Sequence, residues 1–274
     1  MRHERYVEGN EPHIGDGMNA TNRKIYCAPP GIRQGEDMNV RIAICQMPLG
    51  VPLVRGEIET IRRYRPHFVC FPEYFFVNVN LGNHAQTPHN QSLQLRRIQT
   101  LSRCLETVVI GGTMPEQNGA LLHNTTFVFH NGTMLGCYRK RRLFFAEEGV
   151  ITPGEHYQIF EAYGIRFGVL ICADVFDDEG FIFMRENGVR IIFSPTFSLK
   201  KQETVEDKYR RDQEIYVRGA KLSGAYIVKV CGVKSPYRNF LQARSLIAGP
   251  EGIIYRVHPE EEDIAMIIRR EITV

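Results

Sequence analysis

Apolar runs and alternating segments recur along the chain from Met38 onward, and they predict strands interleaved with helices. Short runs rich in Val, Ile and Leu are typical of buried strands, whereas apolar residues three or four apart indicate helices. Strands are predicted at 39–46, 67–72, 107–114, 167–172, 189–196, 225–231, 243–248, 252–257 and 263–270. Helices are predicted at 53–64, at 91–105, from about 179, and at 204–222. The segment TTFVFHNGTMLGCYRK predicts a hairpin, since Asn131-Gly132 supplies the positive φ values of a tight turn.

The number of predicted strands bears on the fold class. Roughly a dozen strands are more than a single small open sheet holds, so we expect an α/β domain of two packed sheets with helices outside. Residues 1–37 differ from the rest, being rich in Gly, Asn, Pro, His and charge with little periodicity. We therefore predict an N-terminal extension or arm at 1–37, dispensable for chemistry, and one domain at 38–274.

Charge and cysteine usage narrow the function classes. The net charge is +3, from 34 basic and 31 acidic residues, so no strong field attracts the chain to nucleic acid or to a membrane surface. The sequence shows no apolar stretch of membrane-spanning length and no signal-like start. The 7 cysteines are scattered and odd in number, which does not suggest a disulfide framework. We expect a cytoplasmic protein with neither nucleic-acid nor membrane partners.

Three chemically distinct side chains stand where predicted strands end. Glu73 follows the strand at 67–72, Lys140 follows the hairpin, and Cys172 ends the strand that begins at Phe167. Open α/β architectures gather their active sites from such strand ends. Each residue also has an ordinary interpretation. Glu73 could be a solvated carboxylate, Lys140 one cation in a basic run, and Cys172 a packed core cysteine.

Together these residues resemble the nitrilase superfamily of carbon–nitrogen hydrolases, over about residues 39 to 270. The matching motifs are FPE after a strand, YRK with Leu three residues after the Lys, EG followed by PG, and CxD at Cys172-Ala173-Asp174. The segments RGAKLSGAYIVKVCGV and SLIAGPEGIIYRV are similar to that family's late helix–strand unit and Gly-turn hairpin. The resemblance implies a four-layer α-β-β-α sandwich with mixed, mainly antiparallel sheets. It also implies a homodimer or higher homo-oligomer.

The resemblance assigns roles to particular residues. It implies a catalytic triad of Glu73, Lys140 and Cys172, with no cofactor and no metal. In the amidase branch, a second Glu lies eight residues after the Lys and is functional. That position is Glu148 here, with Glu147 the competitor if the register slips by one.

These residue types suit attack on an amide. A thiol with a pKa of ~8.5 is only about 3% thiolate at neutral pH, so it needs a base or a cation nearby. Glu73 is the candidate base. The ammonium of Lys140 and the backbone N–H of Ala173 are the candidate donors to the oxyanion. Tyr74 and Phe145 are candidate substrate contacts.

We therefore expect a hydrolase that cleaves the C–N bond of a small linear amide through a thioester and releases ammonia. Ala173 stands where nitrile hydrolysers of this superfamily usually carry Trp followed by Glu, which favours an amide or carbamoyl substrate. The alternatives are an N-carbamoyl amidohydrolase and a catalytically silent binding protein. A Cys-His protease would need His123 or His130 as base, and both lie in the hairpin and fit surface positions better. The motifs of zinc deaminases and phosphate-binding loops do not occur.

Overall fold

The computed structural model describes residues 37–77, 91–234 and 241–274. The predicted extension at 1–37 lies outside these ranges except for Asp37. The strands are β1 (Asn39–Gln46), β2 (Phe68–Cys70), β3 (Val108–Ile110), β4 (Met114–Asn118), β5 (Leu121–His130), β6 (Thr133–Arg139), β7 (Ile159–Ala162), β8 (Ile165–Val169), β9 (Ile191–Thr196), β10 (Tyr226–Cys231), β11 (Leu246–Gly249), β12 (Gly252–Arg256) and β13 (Met266–Thr273). The α-helices are α1 (Arg55–Tyr64), α2 (Gln91–Leu105), α3 (Asp178–Glu186), α4 (Val205–Asp212) and α5 (Arg218–Ser223).

The strands form two mixed sheets. The first has the order β13-β1-β2-β3-β5-β4, with β6 paired to β5, and the second has the order β12-β11-β10-β9-β8-β7. In the first sheet β1–β2 and β2–β3 are parallel, as are β8–β9 and β9–β10 in the second, and the other pairs are antiparallel. The prediction of mixed, mainly antiparallel sheets is confirmed.

The core lies between the two sheets. Phe68 of the first sheet packs against Phe167 and Phe193 of the second, with ring centroids 5.0 and 5.3 Å apart. All three side chains are completely buried. Burying a large apolar side chain contributes about 1.5–3 kcal/mol, so this contact is a principal attachment between the sheets.

Helices cover the outer face of each sheet. Because strand side chains alternate, Val69 of β2 points away from the interior and packs with Ile61 of α1 and Ile98 of α2. On the other sheet, Ile192 of β9 packs with Phe181 of α3. Central strands such as β2 and β9 are therefore buried on both faces, and the predicted four-layer α-β-β-α sandwich is confirmed. Among the described helices, none combines the length and apolar character that crossing a membrane requires.

Some elements differ from the prediction. The strand predicted at 107–114 is interrupted between β3 and β4, where Gly112 has φ +61° and a Cβ would overlap the carbonyl of Pro72. The strand predicted to reach Cys172 ends as β8 at Val169, and β7 before it was not predicted. The helix predicted at 204–222 is continuous but contains a π-helical turn, Gln213–Val217, between α4 and α5.

Candidate active site

Cys172 lies just beyond the end of β8 and opens a 3-10 turn, Cys172–Phe176. Its φ of +45° lies in the left-handed region, which is uncommon for a residue with a Cβ. Such backbone strain persists only where surrounding structure enforces it, and it clusters at functional sites. The thiol Sγ lies 3.7 Å from the carbonyl oxygen of Phe197, the residue that follows β9. The cysteine thus sits where two parallel neighbouring strands of the second sheet end.

Glu73 and Lys140 approach this point from the first sheet. Glu73 lies in the turn after β2, Lys140 follows β6, and both residues are 1% exposed. The Lys140 Nζ is 2.8 Å from Glu73 Oε1, and the Phe197 N–H donates to Glu73 Oε2 at 2.8 Å. The backbone N–H of Phe197 therefore contacts Glu73, and its backbone C=O contacts Cys172. The three residues predicted as a triad lie together where the ends of the two sheets meet.

A second carboxylate completes the cluster. Glu147 Oε2 accepts from Lys140 Nζ at 2.7 Å, and its Oε1 accepts from the Tyr74 hydroxyl at 2.9 Å. The Asn124 Nδ2 donates to both carboxylates, at 2.8 Å to Glu73 Oε1 and 2.7 Å to Glu147 Oε1. A buried cation is tolerated when it is paired and hydrogen-bonded, and Lys140 has two such partners.

The structure distinguishes the two candidate glutamates after Lys140. Glu147 is 5% exposed, and the backbone N–H of Phe144 donates to its Oε2 at 2.8 Å, which holds the carboxylate in the turn. Glu148, the first candidate in the sequence, is exposed and is not brought into the cluster. Phe145, a predicted substrate contact, has a side chain that is 70% exposed. Of the two predicted substrate contacts, Tyr74 alone joins the cluster among the described residues.

Burial and neighbouring charges shift the pKa values of the four ionisable groups of the site in different ways. These groups are Cys172, Glu73, Lys140 and Glu147. Burial raises the pKa of the Cys172 thiol, Glu73 raises it further, and Lys140 opposes this. Burial raises the pKa of Glu73 above its usual range despite Lys140, whereas the Lys140 ammonium, against the effect of burial, holds the pKa of Glu147 below its usual range. Burial would lower the pKa of Lys140, but the surrounding anions raise it. Lys140 is thus a permanent cation, Glu147 a permanent anion, and Glu73 the carboxylate best able to take a proton.

Asn124 is a site residue that the sequence interpretation missed. It lies in β5 and is completely buried, within a run of four buried polar residues, 123–126. Polar side chains at successive positions of a strand, on both of its faces, were the available signal, because buried polar groups require partners.

The two histidines weighed as alternative bases are engaged elsewhere. His123 Nδ1 lies 2.8 Å from the carbonyl oxygen of Thr152, and the side chain is buried, not at the surface as predicted, because β4 pairs with β5 at this position and Thr152 contacts the ring. The ring of His130 packs against Tyr163, with centroids 4.9 Å apart.

Ala173, the candidate oxyanion donor, follows Cys172 in the buried 3-10 turn.

Comparison with known sequences identifies several relatives. The omega-amidase NIT2 of Danio rerio is 28% identical over 170 residues, which cover 56% of this chain and 61% of that protein. The glutamine-dependent NAD(+) synthetase of Acinetobacter baylyi is 25% identical over 118 residues, which cover 42% of this chain and 22% of that enzyme. In both cases the match therefore covers less than two thirds of the relative's length.

Solved structures share the fold, and a family model matches most of the chain. Saccharomyces cerevisiae Nit3, described as a member of branch 10 of the nitrilase superfamily, has a TM-score of 0.69 at 18% identity, covering 85% of this chain and 89% of that one. An amidase from Nesterenkonia sp. also has a TM-score of 0.69 at 18% identity, covering 86% and 90% of the two chains. The family model for carbon–nitrogen hydrolases matches residues 41–272. The chain therefore belongs to the carbon–nitrogen hydrolase family.

Proposed function

We propose that this protein hydrolyses the C–N bond of a small linear amide through a thioester on Cys172 and releases ammonia. One observation carries the proposal: a buried lysine held between two carboxylates, one of which shares the Phe197 backbone with the thiol. This arrangement provides a nucleophile, a base and a cation for the oxyanion at one point. The family's amidase members and omega-amidase relatives agree with an amide substrate.

The first half of the reaction uses Glu73 as base and then as acid. Because the Cys172 thiol has a raised pKa, it is protonated at rest and loses its proton to Glu73 only as sulfur attacks the carbonyl carbon. The ammonium of Lys140 and the backbone N–H of Ala173 stabilise the oxyanion, and one such donor contributes about 3–4 kcal/mol. Glu73 then returns the proton to the amide nitrogen, the C–N bond breaks, and ammonia leaves a thioester.

The second half regenerates the enzyme. Water attacks the thioester carbonyl while Glu73 accepts one of its protons, and collapse of the tetrahedral intermediate releases a carboxylic acid. The proton on Glu73 returns to the sulfur of Cys172. Every proton and bond is accounted for by the substrate, one water molecule and these side chains.

Glu147, not Glu148, is the second functional glutamate in this proposal. Its two oxygens accept from four donors, namely Lys140, Asn124, the Tyr74 hydroxyl and the Phe144 N–H. A carboxylate has about four acceptor positions, so Glu147 is filled by protein donors. Glu147 therefore positions Lys140, whereas Glu73, with three donors, keeps one acceptor position for the thiol proton.

The decisive experiment is an assay of ammonia release from a panel of small primary amides, N-carbamoyl compounds and the matching nitriles. We expect turnover of amides that is lost in Cys172→Ala. Carbon dioxide released together with ammonia would assign the protein to the N-carbamoyl amidohydrolases instead. Binding of these compounds without turnover would show a silent family member, and faster turnover of nitriles than of amides would contradict the proposal.

A further inference from the structure

Asp174 has a carboxylate that accepts four hydrogen bonds. Its Oδ1 accepts from the backbone N–H groups of Arg141 and Arg142, at 3.1 and 2.7 Å. Its Oδ2 accepts from the backbone N–H of Ile171 at 2.8 Å and from the Tyr138 hydroxyl at 2.9 Å. The residue is 2% exposed, so the carboxylate is held by protein groups.

The four donors come from two separate parts of the active site. Tyr138, Arg141 and Arg142 lie on either side of Lys140, at the end of β6 and in the segment after it. Ile171 is the residue immediately before Cys172. One carboxylate therefore connects the backbone that carries the cation to the backbone that carries the thiol, across the interface between the two sheets.

We propose that Asp174 is a positioning residue that fixes the Lys140 ammonium relative to the Cys172 thiol. Hydrogen bonds to an ionised acceptor are about twice as strong as neutral ones, so four of them define the distance between the two segments closely. The proposal rests on the proposed function for the chemistry that this distance serves, but the geometric role is independent of the substrate.

The role requires a carboxylate. An ionised carboxylate is the side chain that accepts at both oxygens, whereas an amide accepts at one and donates at the other. Backbone N–H groups cannot rotate away, so in Asp174→Asn the amide NH₂ would face either Ile171 or the pair Arg141 and Arg142. Whichever orientation it takes, at least one backbone N–H loses its acceptor.

The electrostatic cost of the carboxylate supports a functional role. Burial raises the pKa of Asp174 to about 6, although the Arg142 N–H and the Lys140 charge both lower it. The charged and titratable groups around it are Lys140, Arg141, Arg142, Tyr138, Tyr157 and Asp177. A raised pKa means that the ionised residue lowers the stability of the fold at neutral pH, so stability alone does not explain its presence.

The test measures the reactivity of the Cys172 thiol with methyl methanethiosulfonate, which contains no amide. The thiolate attacks the reagent's sulfenyl sulfur, methanesulfinate leaves, and mass spectrometry reports a methylthio group on each cysteine. The exposed Cys104 is the internal reference in the same molecule. In Asp174→Asn we expect the rate at Cys172, relative to Cys104, to fall by about tenfold or more, the equivalent of one lost hydrogen bond to a charged group.

Two further variants separate positioning from folding. Asp174→Glu keeps the charge and both acceptor oxygens, so it should restore part of the rate, and Tyr138→Phe, which removes one neutral donor, should lower it less than Asp174→Asn does. With any amide that the wild-type protein hydrolyses, kcat should fall more than KM rises. If the wild type hydrolyses no amide, the proposed function fails, while the thiol measurement still tests Asp174.

Two results would overturn the proposal. One is a folded Asp174→Asn whose Cys172 reacts at the wild-type rate relative to Cys104. The other is that neither Asp174→Asn nor Asp174→Glu folds, which would make the carboxylate a requirement of the fold and not a positioning group. Thermal unfolding of each variant decides which case applies.

Discussion

Glu73 and Glu147 share the same two donors, Nζ of Lys140 and Nδ2 of Asn124, at 2.7–2.8 Å. Each of two carboxylates bound to one cation disfavours the ionisation of the other, so their different surroundings decide which one binds a proton more readily. The pKa of Glu73 is raised and that of Glu147 is lowered, because Glu73 is the more deeply buried of the two and Glu147 accepts from four protein donors against three at Glu73. Glu73 is therefore the base of the pair, and Glu147 is the counter-ion of Lys140.

Replacement of Glu73 tests whether this residue transfers protons in the reaction or only holds Lys140 in place. Glu73→Gln retains an acceptor for Lys140 but cannot take the thiol proton, so kcat should fall by about 10²–10⁴. In the wild type, activity should be lost as the pH falls through the pKa of Glu73, which lies above the usual value for Glu. An acyl adduct on Cys172, detected by mass spectrometry, should accumulate in Glu73→Gln. Full activity in this variant, or an adduct on another cysteine, would contradict the assignment.

Glu147 and Glu148 provide a matched pair of neighbouring substitutions. Glu147→Gln offers one acceptor oxygen to four donors, so Lys140 loses a counter-ion and kcat should fall by at least about tenfold. Glu148→Gln changes an exposed side chain and should leave kcat and KM unchanged. Steady-state kinetics on both variants check this. Loss of activity in Glu148→Gln alone would show the opposite. The functional glutamate would then be the one eight residues after Lys140, and not the one buried beside it.

The Pro153-Gly154 motif predicts a steric requirement. A Cβ on Gly154 would overlap the carbonyl oxygen of Arg139, and the Gly154 N–H donates to the Lys140 carbonyl at 2.8 Å. Gly154→Ala should therefore displace the backbone that carries the Lys140 ammonium and lower kcat together with the melting temperature. Gly56→Ala is the control, because its Cβ has nothing within 4 Å in α1 and alanine favours a helix by about 0.5–1 kcal/mol. Equal activity in both variants would refute the steric requirement.

Asp174 predicts a dependence of stability on pH. Its folded-state pKa of about 6 exceeds the ordinary value of ~3.9 for Asp, so the folded state retains the proton to a higher pH than the unfolded chain. The stability from this proton is complete below about pH 4 and is lost as the pH rises through about 6, with a total change of about 3 kcal/mol. Urea unfolding from pH 4 to 7 should show a shallower decline in Asp174→Asn. An unchanged slope would place the folded-state pKa near its ordinary value.

The sequence predicted regular elements well where periodicity and turn chemistry agree. β1 and α2 have the predicted bounds, and Asn131-Gly132 turns the β5–β6 hairpin with φ of 50° and 80°. It did not predict β7, because the sequence IFEA forms neither a continuous apolar run nor a strict apolar–polar alternation. The motifs also placed Glu73, Lys140 and Cys172 at the ends of predicted strands. The structure brings these three residues together because those strand ends lie close in space.

The choice between Glu147 and Glu148 could not be made from the sequence. Both lie in a turn after Lys140, and neither helical nor strand periodicity determines which side chain points inward. The polar run at 123–126 indicates that Asn124 needs hydrogen-bond partners but not which ones, because its role follows from the pairing of β5 with β6, where the Asn124 carbonyl accepts from the Lys140 N–H at 2.8 Å. Such long-range register is a property of the sheet and is not contained in any local pattern.

A buried ion cluster outside the active site provides the last prediction. Asp212 is completely buried at the end of α4, and its carboxylate lies 3.5 Å from Lys229, 3.5 Å from Arg244 and 3.4 Å from Arg256. Removing the charge in Asp212→Asn would leave Lys229 and Arg244, both 3% exposed, without this counter-ion. Uncompensated buried charge typically costs about 3–5 kcal/mol, and we expect that loss in the free energy of unfolding measured with urea.

The matched control for Asp212→Asn is Glu206→Gln, which removes one negative charge from the exposed surface of the same helix. Because exposed charges contribute about 0–1 kcal/mol, this variant should unfold close to the wild type. A large difference between the two variants would show that burial, and not the net charge of the chain, determines the stability that Asp212 provides. A loss in Asp212→Asn no greater than in Glu206→Gln would show that Glu203, 3.5 Å from Arg244, neutralises the cluster by itself.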